Sequence, residues 1–389
     1  MAYIYRQNTK TFYRRVDGES MATIRDVAAE AGVSIATVSK VLNSPDYGSL
    51  ETRRKVISAA KRLRYQPNNI ARSMVTGRTN VIALVIPDVR NPFFTSVARG
   101  VEDVASKYDY RVMLCNTDED PTKQNRYVEV FRRKMVDGFM IAVASEQDRY
   151  LEKVDRETLP FVFIDRVCEG IPADAIVVDN RDGAYKAVRY LLGLGHRRIA
   201  IIAGKPDTLT GRERLQGYLD ALKEFGLTRV DELVRDGRFT IEGGYEATRA
   251  VLAVRNPPTA VFISNNAMTI GCLKALSEAR VRIPDQMSVI GFDDADWAEF
   301  FVPPLTVVRQ PTYSMGMLAG ELLFQRILEE IPSEKKEVVL KPELVIRDSC
   351  GAFDVMSSAT EENVFLHEAE GGVLQDTMSR RGDRQSIEG

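Results

Sequence analysis

Histidine, cysteine and tryptophan are scarce in this chain: two, four and one in 389 residues. His196 and His367 lie far apart, and Cys115, Cys168, Cys272 and Cys350 are never spaced as C-x-x-C. Neither a clustered metal-ligand set nor a disulfide framework is visible, and histidine-assisted catalysis has little material. H-E-x-x-H, G-x-x-x-x-G-K-[ST] and a G-x-G-x-x-G after a strand pattern are also missing, which leaves metal and nucleotide-loop chemistry unsupported. We therefore expect no enzyme, no cofactor and no metal. Long hydrophobic runs are lacking too. Runs such as 81–87 and 199–204 fall far short of the ~20 residues of a membrane span. Residues 1–20 carry charge throughout and lack an apolar h-region. A reduced, cytoplasmic chain without membrane attachment is the expectation. Those twenty residues read as a flexible extension, with Met21 a natural start.

What is present looks globular. Apolar residues make up 44% and charged residues 28%, near the averages for folded domains, and the length suits two to three domains. The formal net charge of −2 suggests no nucleic-acid partner, but its distribution is uneven. Residues 21–78 hold ten Lys/Arg against four acids, a net of +6, and residues 1–20 add +2, so the remainder carries −10. A basic block beside an acidic body reads as a phosphate-binding module joined to something else.

The basic block contains three short helical patterns. Thr23 opens the first, with Asp26 three residues on, and Ile24, Val27, Ala28 and Ala31 form one apolar stripe. Gly32 supplies a tight turn, and Ser34 caps a second helix. Val38, Val41 and Leu42 point that helix inward; Ile35, Ala36, Thr37, Ser39 and Lys40 face out. The third pattern runs from Leu50 to Leu63, with Val56, Ile57, Ala60 and Leu63 inward and Tyr65 closing the core. Two helices joined by a glycine turn can place the second in a major groove. Small residues and one cation on its outer face leave room for close approach to base edges.

The run Thr23–Asn43, TIRDVAAEAGVSIATVSKVLN, resembles the headpiece of the lactose-repressor/galactose-repressor family of bacterial transcription regulators. The segment 65–74, YQPNNIARSM, is similar to that family's hinge helix. The resemblance implies that Ile35, Ala36 and Lys40 read base edges, while Thr23, Ser34, Thr37, Ser39, Asn43 and Arg72 mainly touch phosphates. Asn69, Ala71 and Met74 join the DNA-contacting set through the hinge. About eight residues of helix after Pro67 are too few to be stable alone, so the hinge should order only against DNA or a partner helix. Met74 stands where the family usually wedges a leucine between base pairs; methionine is apolar and flexible enough to serve.

From residue 80 onward, apolar runs alternate with amphipathic stretches. Strands are predicted at 81–87, 111–115, 138–143, 161–164, 175–178, 199–203, 260–264 and 287–292. Helices are predicted near 94–108, 122–134, 183–193, 212–225, 243–254 and 266–280. This implies βαβ units and parallel sheets, arranged as two similar lobes. The first lobe is expected at about 79–177 and 309–340 and the second at about 178–308, with the late stretch 305–328 returning to the first. The family resemblance continues through 79–350, in phrases such as IPD…NPFF, GHRRI, VIGFDD and LVIRDS. It implies a periplasmic-binding-protein-like core, two lobes closing on a small effector, most often a sugar and in some relatives a purine. Carried over by position, the cleft would include Asp88, Phe93, Phe94, Thr210, Arg214, Phe239, Asn265 and Asp293. Carboxylates and an amide pair with hydroxyls, aromatics face an apolar ring, and Arg is a fork donor. The plainer readings are core packing for the phenylalanines and helix caps for Asp88, Asp293 and Asn265. Asn265-Asn266 departs from the Asn-Asp common in the family.

His196, in Gly195-His196-Arg197, is expected to make a structural hydrogen bond at a helix-to-strand turn. Residues 351–389 are polar and acidic and read as a disordered tail; the family resemblance implies a terminal leucine heptad helix in tetramer-forming members, and none is visible here, which favours a dimer. The expected organisation is an extension at 1–20, a helix-turn-helix domain at 21–66, a hinge and linker at 67–78, and an effector-binding core at 79–350. The expected function is a ligand-responsive, sequence-specific repressor whose homodimer binds a near-palindromic DNA operator. A solute-binding protein and a sugar- or nucleotide-modifying α/β enzyme are the rivals. The missing signal sequence and the +6 headpiece count against the first.

Overall fold

The computed structural model describes residues 22–43, 46–65, 77–328 and 334–353, and the chain divides into two compact units at Thr79/Asn80. The hinge residues Asn69, Ala71, Arg72 and Met74, the extension and residues 354–389 lie outside the described residues.

The first unit is built from α1 (Ile24–Ala31), α2 (Ile35–Asn43) and α3 (Leu50–Arg62). The Thr23 backbone N–H and hydroxyl both donate to Asp26 Oδ2 at 2.8 Å, fixing the start of α1. Gly32 ends it at φ 65°, a left-handed conformation that glycine adopts without steric cost. Val27, Val38, Val56 and Ala59 are wholly buried. Ile24, Val33, Leu42, Leu63 and Tyr65 pack around them. The expectation for Ile57 fails: it is 46% exposed, and Ala59 points inward instead. Residues 56, 59, 60 and 63 share one helix face, whereas 57 lies about 100° away.

The second unit holds two six-stranded sheets. The first contains β1 (Val81–Ile86), β2 (Arg111–Asn116), β3 (Gly138–Ile141), β4 (Phe161–Ile164), β5 (Asp174–Val178) and β11 (Glu337–Leu340), in the order β11-β5-β4-β3-β1-β2, all parallel. The second contains β6 (Ile199–Ala203), β7 (Val234–Asp236), β8 (Ala260–Ile263), β9 (Ser288–Phe292), β10 (Thr306–Arg309) and β12 (Glu343–Val345), in the order β12-β10-β9-β8-β6-β7. Only β12 among these runs antiparallel to its neighbour. Helices α4 (Pro92–Lys107), α5 (Pro121–Val130) and α11 (Thr312–Leu328) belong with the first sheet. Helices α6 (Asn180–Gly193), α7 (Leu209–Glu224), α8 (Ile241–Leu252), α9 (Asn266–Glu278) and the short α10 (Asp296–Phe300) belong with the second. Each sheet is covered on both faces by separate apolar clusters, as a parallel sheet requires.

Several helices start up to three residues before the apolar pattern does. Asn91, Asp120, Asp179, Thr208 and Thr240 each accept a backbone N–H of the first turn. Such a cap lets polar residues precede the first buried position. The helix predicted to 134 stops at Val130, where the chain widens into a π turn over Phe131–Met135 and Lys134 takes φ 58°. The predicted stretch 305–328 splits. β10 stays in the second sheet beside β9, and only α11 returns to the first, because Pro311 ends the strand where the chain crosses over. β7, β11 and β12 were too short or too exposed to read from pattern alone. Gly351–Phe353, predicted as tail, are instead fixed on the second lobe, where the Phe353 N–H donates to Leu194 O at 2.8 Å.

The return of α11 depends on a close approach to α4. A Cβ on Gly316 would fall on the Val97 carbonyl oxygen, and one on Gly100 on that of Tyr313. Gly316→Val should therefore destabilise the core unit by about 3 kcal/mol or more through overpacking. Urea denaturation of the variant checks this, the expected result being a lower midpoint with the native secondary structure retained.

Candidate functional site

The outer face of α2 is the first candidate. Ser34 caps the helix by accepting the Thr37 N–H at 3.1 Å, and the two hydroxyls are 2.8 Å apart. Inward packing of Val38 and Val41 turns Ile35, Ala36 and Lys40 to solvent, with Ile35 45% exposed. Thr37 and Ser39 are half-buried beside them, and Ser34 and Thr23 are exposed. Lys40 Nζ stands 5.1 Å from the centroid of the Tyr47 ring, which holds the cation at the surface. Asn43 closes α2. The three residues expected to read bases are thus the exposed ones of the helix face.

The second candidate lies where the carboxyl ends of the strands meet, the usual ligand position in such sheets. Phe93, Phe94, Thr210, Arg214, Phe239, Asn265 and Asp293 come together around one inner cavity of about 30 Å3. Asp88 does not join them: its carboxylate accepts from the Arg90 N–H, Nε and Nη2 at 2.9–3.0 Å, within its own loop. The sequence reading missed Asn91, Asp165, Arg166 and Gln310, which complete the lining. The position of Asp165-Arg166 directly after the apolar run 161–164 was a usable signal. An outer cavity of about 640 Å3 adjoins it, lined by residues that include Thr95, Ser96, Asn266, Asp294, Asp296 and Trp297. Phe93, Asp293 and Gln310 line both.

The inner cavity is charged on all sides; Arg166 is ion-paired to Glu119 and Asp165, whereas Arg214 and Asp293 are held by neutral hydrogen-bond partners. Arg214 donates from Nε to Asn180 Oδ1 at 2.8 Å and from Nη1 to Ser264 O at 2.6 Å, its guanidinium lying 3.7 Å from the Phe292 centroid. Asp293 accepts the Gln310 amide at 2.6 Å and the Asn266 N–H at 3.2 Å. Asn265 caps α9 by accepting the Met268 N–H at 2.9 Å, so its plain reading and its place in the lining coexist. Phe239 presses the tip of its ring on Gly204, where a Cβ would strike it, and Arg166 sits over the ring at 5.5 Å from its centroid. Asp165, Phe239 and Asp293 all adopt φ between 59° and 80°, strain of the kind that collects at functional sites.

Carboxylates of the first lobe grip the second. Glu119 takes both Arg166 Nη atoms at 2.8 and 3.0 Å and lies 3.5 Å from Lys205 Nζ across the cleft. Glu146 accepts the Leu209 N–H and pairs with Arg212 at 2.7 Å, placing an anion at the positive end of α7. Burial pushes the Asp165 carboxyl up to about 6 against the pull of Arg166 and Arg214. Five polar atoms of the linings have no hydrogen-bond partner: Arg166 Nε, which lies 3.5 Å from Asp165 Oδ2, and Thr210 Oγ1, Gln310 Oε1, Asn266 Oδ1 and Trp297 Nε1. Unsatisfied buried polar atoms in a cleft fit a polar ligand. His196 has a structural place: Nδ1 lies 2.7 Å from Thr259 Oγ1, and Nε2 3.0 Å from Ser288 Oγ and 3.1 Å from Gly351 O. Among the described residues no group of histidine, cysteine and carboxylates suits a metal ion, and no helix is long and apolar enough to cross a membrane.

Residues 23–68 match the model of bacterial regulatory proteins of the lacI family, and residues 188–350 match a periplasmic binding protein-like domain. The HTH-type transcriptional regulator DegA of Bacillus subtilis is 37% identical over 334 residues, covering 84% of this chain and 97% of that protein. The chain belongs to the LacI family. A second relative of this LacI-family regulator, the HTH-type transcriptional repressor PurR of Photobacterium profundum, is 36% identical and covers 85% of this chain and 98% of its own. Among solved structures, a complex of the transcriptional regulator CelR with cellobiose is 34% identical, with a TM-score of 0.65, covering 84% of this chain and 99% of that one. The Lac repressor dimer bound to operator and an anti-inducer is 26% identical with a TM-score of 0.76, covering 86% and 100%. The two-unit LacI-family architecture, a DNA-binding headpiece and a periplasmic-binding-protein-like core, is therefore that of a DNA-binding transcription regulator.

The position of Asp165 has a pH consequence. Its folded-state pKa lies above the unfolded value of 3.8, so between about pH 4 and 6 the folded state of the LacI-family chain holds the proton longer. Stability from this group is greatest in acid, falls as the pH rises through that window and stays lower above it. Asp165→Asn should remove this loss. Chemical denaturation from pH 4 to 7.5 should show the variant gaining on the parent chain as the pH rises, and parallel profiles would refute the assignment.

Proposed function

We propose that the chain is a cytoplasmic, homodimeric repressor that binds a near-palindromic operator and is controlled by a sugar or sugar derivative in the inner cleft. The observation that carries the effector reading is the convergence of seven expected residues on one cavity whose Arg214 and Asp293 are hydrogen-bonded to neutral groups and whose Thr210 and Gln310 oxygens lack partners. Neutral hydroxyls suit such a site better than an ion does. Cellobiose in the CelR complex supports a sugar; the PurR relatives favour a purine as the alternative, and the Phe239 ring in the cavity lining suits a planar ring as well. Exposed apolar groups support a second copy of the chain. Met113 and Leu114 lie on the edge strand β2, and Phe300 and Val302 are 79% and 87% exposed.

In this reading two headpieces take successive major-groove half-sites, with Ile35, Ala36 and Lys40 at base edges and Thr23, Ser34, Thr37, Ser39 and Asn43 at or near phosphates. Asn69, Ala71, Arg72 and Met74 act from the hinge in the minor groove. Effector binding shifts the first lobes and orders or melts the hinge, in proportion to its differential affinity for the two states. The reading assigns the chain no enzymatic activity.

Gel-shift titration over salt tests the DNA half. Steep salt dependence and a palindrome preference are expected, and binding that lacks either sinks the model. Lys40→Ala should cost about 1–3 kcal/mol on the preferred operator and relax base preference. Arg72→Ala should weaken all sequences alike and lower the salt slope by about 1. Asp293→Ala tests the cleft: operator affinity should persist while a ligand found by thermal-shift screening of sugars, sugar phosphates and purines loses its effect.

A further inference from the structure

Among the described residues of the headpiece two are aromatic, Tyr47 and Tyr65, and they are used differently. Tyr65 packs against the buried valines and alanines of the three helices; Tyr47 stands outside that cluster and is 40% exposed. It lies in the turn between α2 and α3. That turn is tied to α3, since Asp46 pairs with Arg53 at 3.7 Å and Ser49 accepts the Thr52 N–H at 3.2 Å as the helix cap. Gly48, between them, takes φ 83°, a left-handed conformation that glycine adopts without steric cost. A large ring in an exposed, tethered turn gains little from burial. Its face is turned instead to Lys40, whose Nζ stands 5.1 Å from the ring centroid.

Lysine carries its ammonium on a flexible four-carbon stem, so an exposed lysine gives up rotamer freedom when it meets a base edge. Among the described residues Lys40 makes no ion pair, whereas Arg53, Lys55 and Arg62 of α3 are each paired with a carboxylate. The Tyr47 ring is therefore the group that restricts where this ammonium stands. A ring face occupies one side of an ammonium that has three donors, and leaves the others for guanine O6 and N7. Ala36, four residues earlier on the same helix face, adds no bulk beside it.

We propose that Tyr47 is a positioning residue: its ring pre-orders Lys40 on the outer face of α2 and so sharpens the choice of base pair, without itself touching the DNA. The π face carries this role and the hydroxyl has no part in it. The assignment rests on the reading of Lys40 as a base contact.

The test uses the full chain and a library of DNA duplexes with a randomised window of about 20 base pairs, two helical turns. The parent chain selects its preferred site from the library. Lys40→Ala then identifies the base pair that Lys40 reads, as the one whose preference relaxes. Tyr47→Leu should relax preference at that same base pair and at no other. It should lose about two- to fivefold in affinity for each half-site engaged, with binding to an unrelated duplex and the melting temperature unchanged. Tyr47→Phe keeps the π face and should match the parent chain. In the Lys40→Ala background, Tyr47→Leu should change nothing further. Tyr47→Phe failing as Tyr47→Leu does would assign the effect to the hydroxyl and overturn the proposal. So would an equal loss on every duplex, additive losses in the double variant, or a Tyr47→Leu chain that selects as the parent does. These four outcomes leave the reading of Lys40 standing. A Lys40→Ala chain that relaxes no base pair, or a parent chain that selects no site, overturns that reading and the proposal together.

Discussion

The need to cover both faces of a parallel sheet governs this molecule. Strands that all run one way must be joined by crossovers, and helices supply them. Every strand of a lobe except the antiparallel β12 then ends on the same side, so the loops that follow β1, β3 and β4 in one lobe and β6, β7, β8 and β9 in the other gather at the cleft. The chain passes between the sheets after β5, after β10 and after β11. Those three short crossings hold the two sets of loop ends together. One of them carries Gln310, whose amide binds Asp293 of the other lobe.

A site built this way collects charge in a place poor in water, and the pairing follows from that. Arg166 and Arg214 are nearly inaccessible, and neither is tolerable without partners. Glu119 and Asp165 stand beside the first, Asn180 and the Ser264 carbonyl beside the second. Of the polar lining atoms without a hydrogen-bond partner one is charged, Arg166 Nε at 3.5 Å from Asp165, and four are neutral: a hydroxyl, two amide carbonyls and an indole N–H. The same pairs also tie the lobes, since Lys205 and Arg212 of the second lobe meet Glu119 and Glu146 of the first. Closure of the cleft and its chemical selectivity thus draw on the same residues.

The headpiece works on a smaller version of the same logic. Its core consists mainly of Val and Ala with a few larger residues at the edge, which lets three short helices approach closely. Pointing Val38 and Val41 inward leaves α2 with an outer face of small groups and one cation. Packing and DNA contact are two faces of one helix, and 3.6 residues per turn keep them apart.

Much of this was legible in the chain itself. Apolar period, glycine at Gly32 and the caps Thr23, Ser34 and Asn265 define the headpiece and the helix starts. The alternation of apolar runs with amphipathic stretches defines two parallel-sheet lobes, and the split of charge between residues 1–78 and the rest separates the two tasks. Seven of the eight effector residues inferred by resemblance do line one cavity, because strand ends are fixed by local pattern. Tertiary structure alone decided the rest. Asp88 is diverted by Arg90, a neighbour two residues away whose rotamer no pattern reveals. Gln310 and Trp297 become site residues only because chain crossings bring together segments more than a hundred residues apart. β10 and α11 are nearly adjacent in sequence yet serve different lobes. Sequence periodicity reports which face of an element is buried; it does not report what that face, or the loop beyond it, will meet.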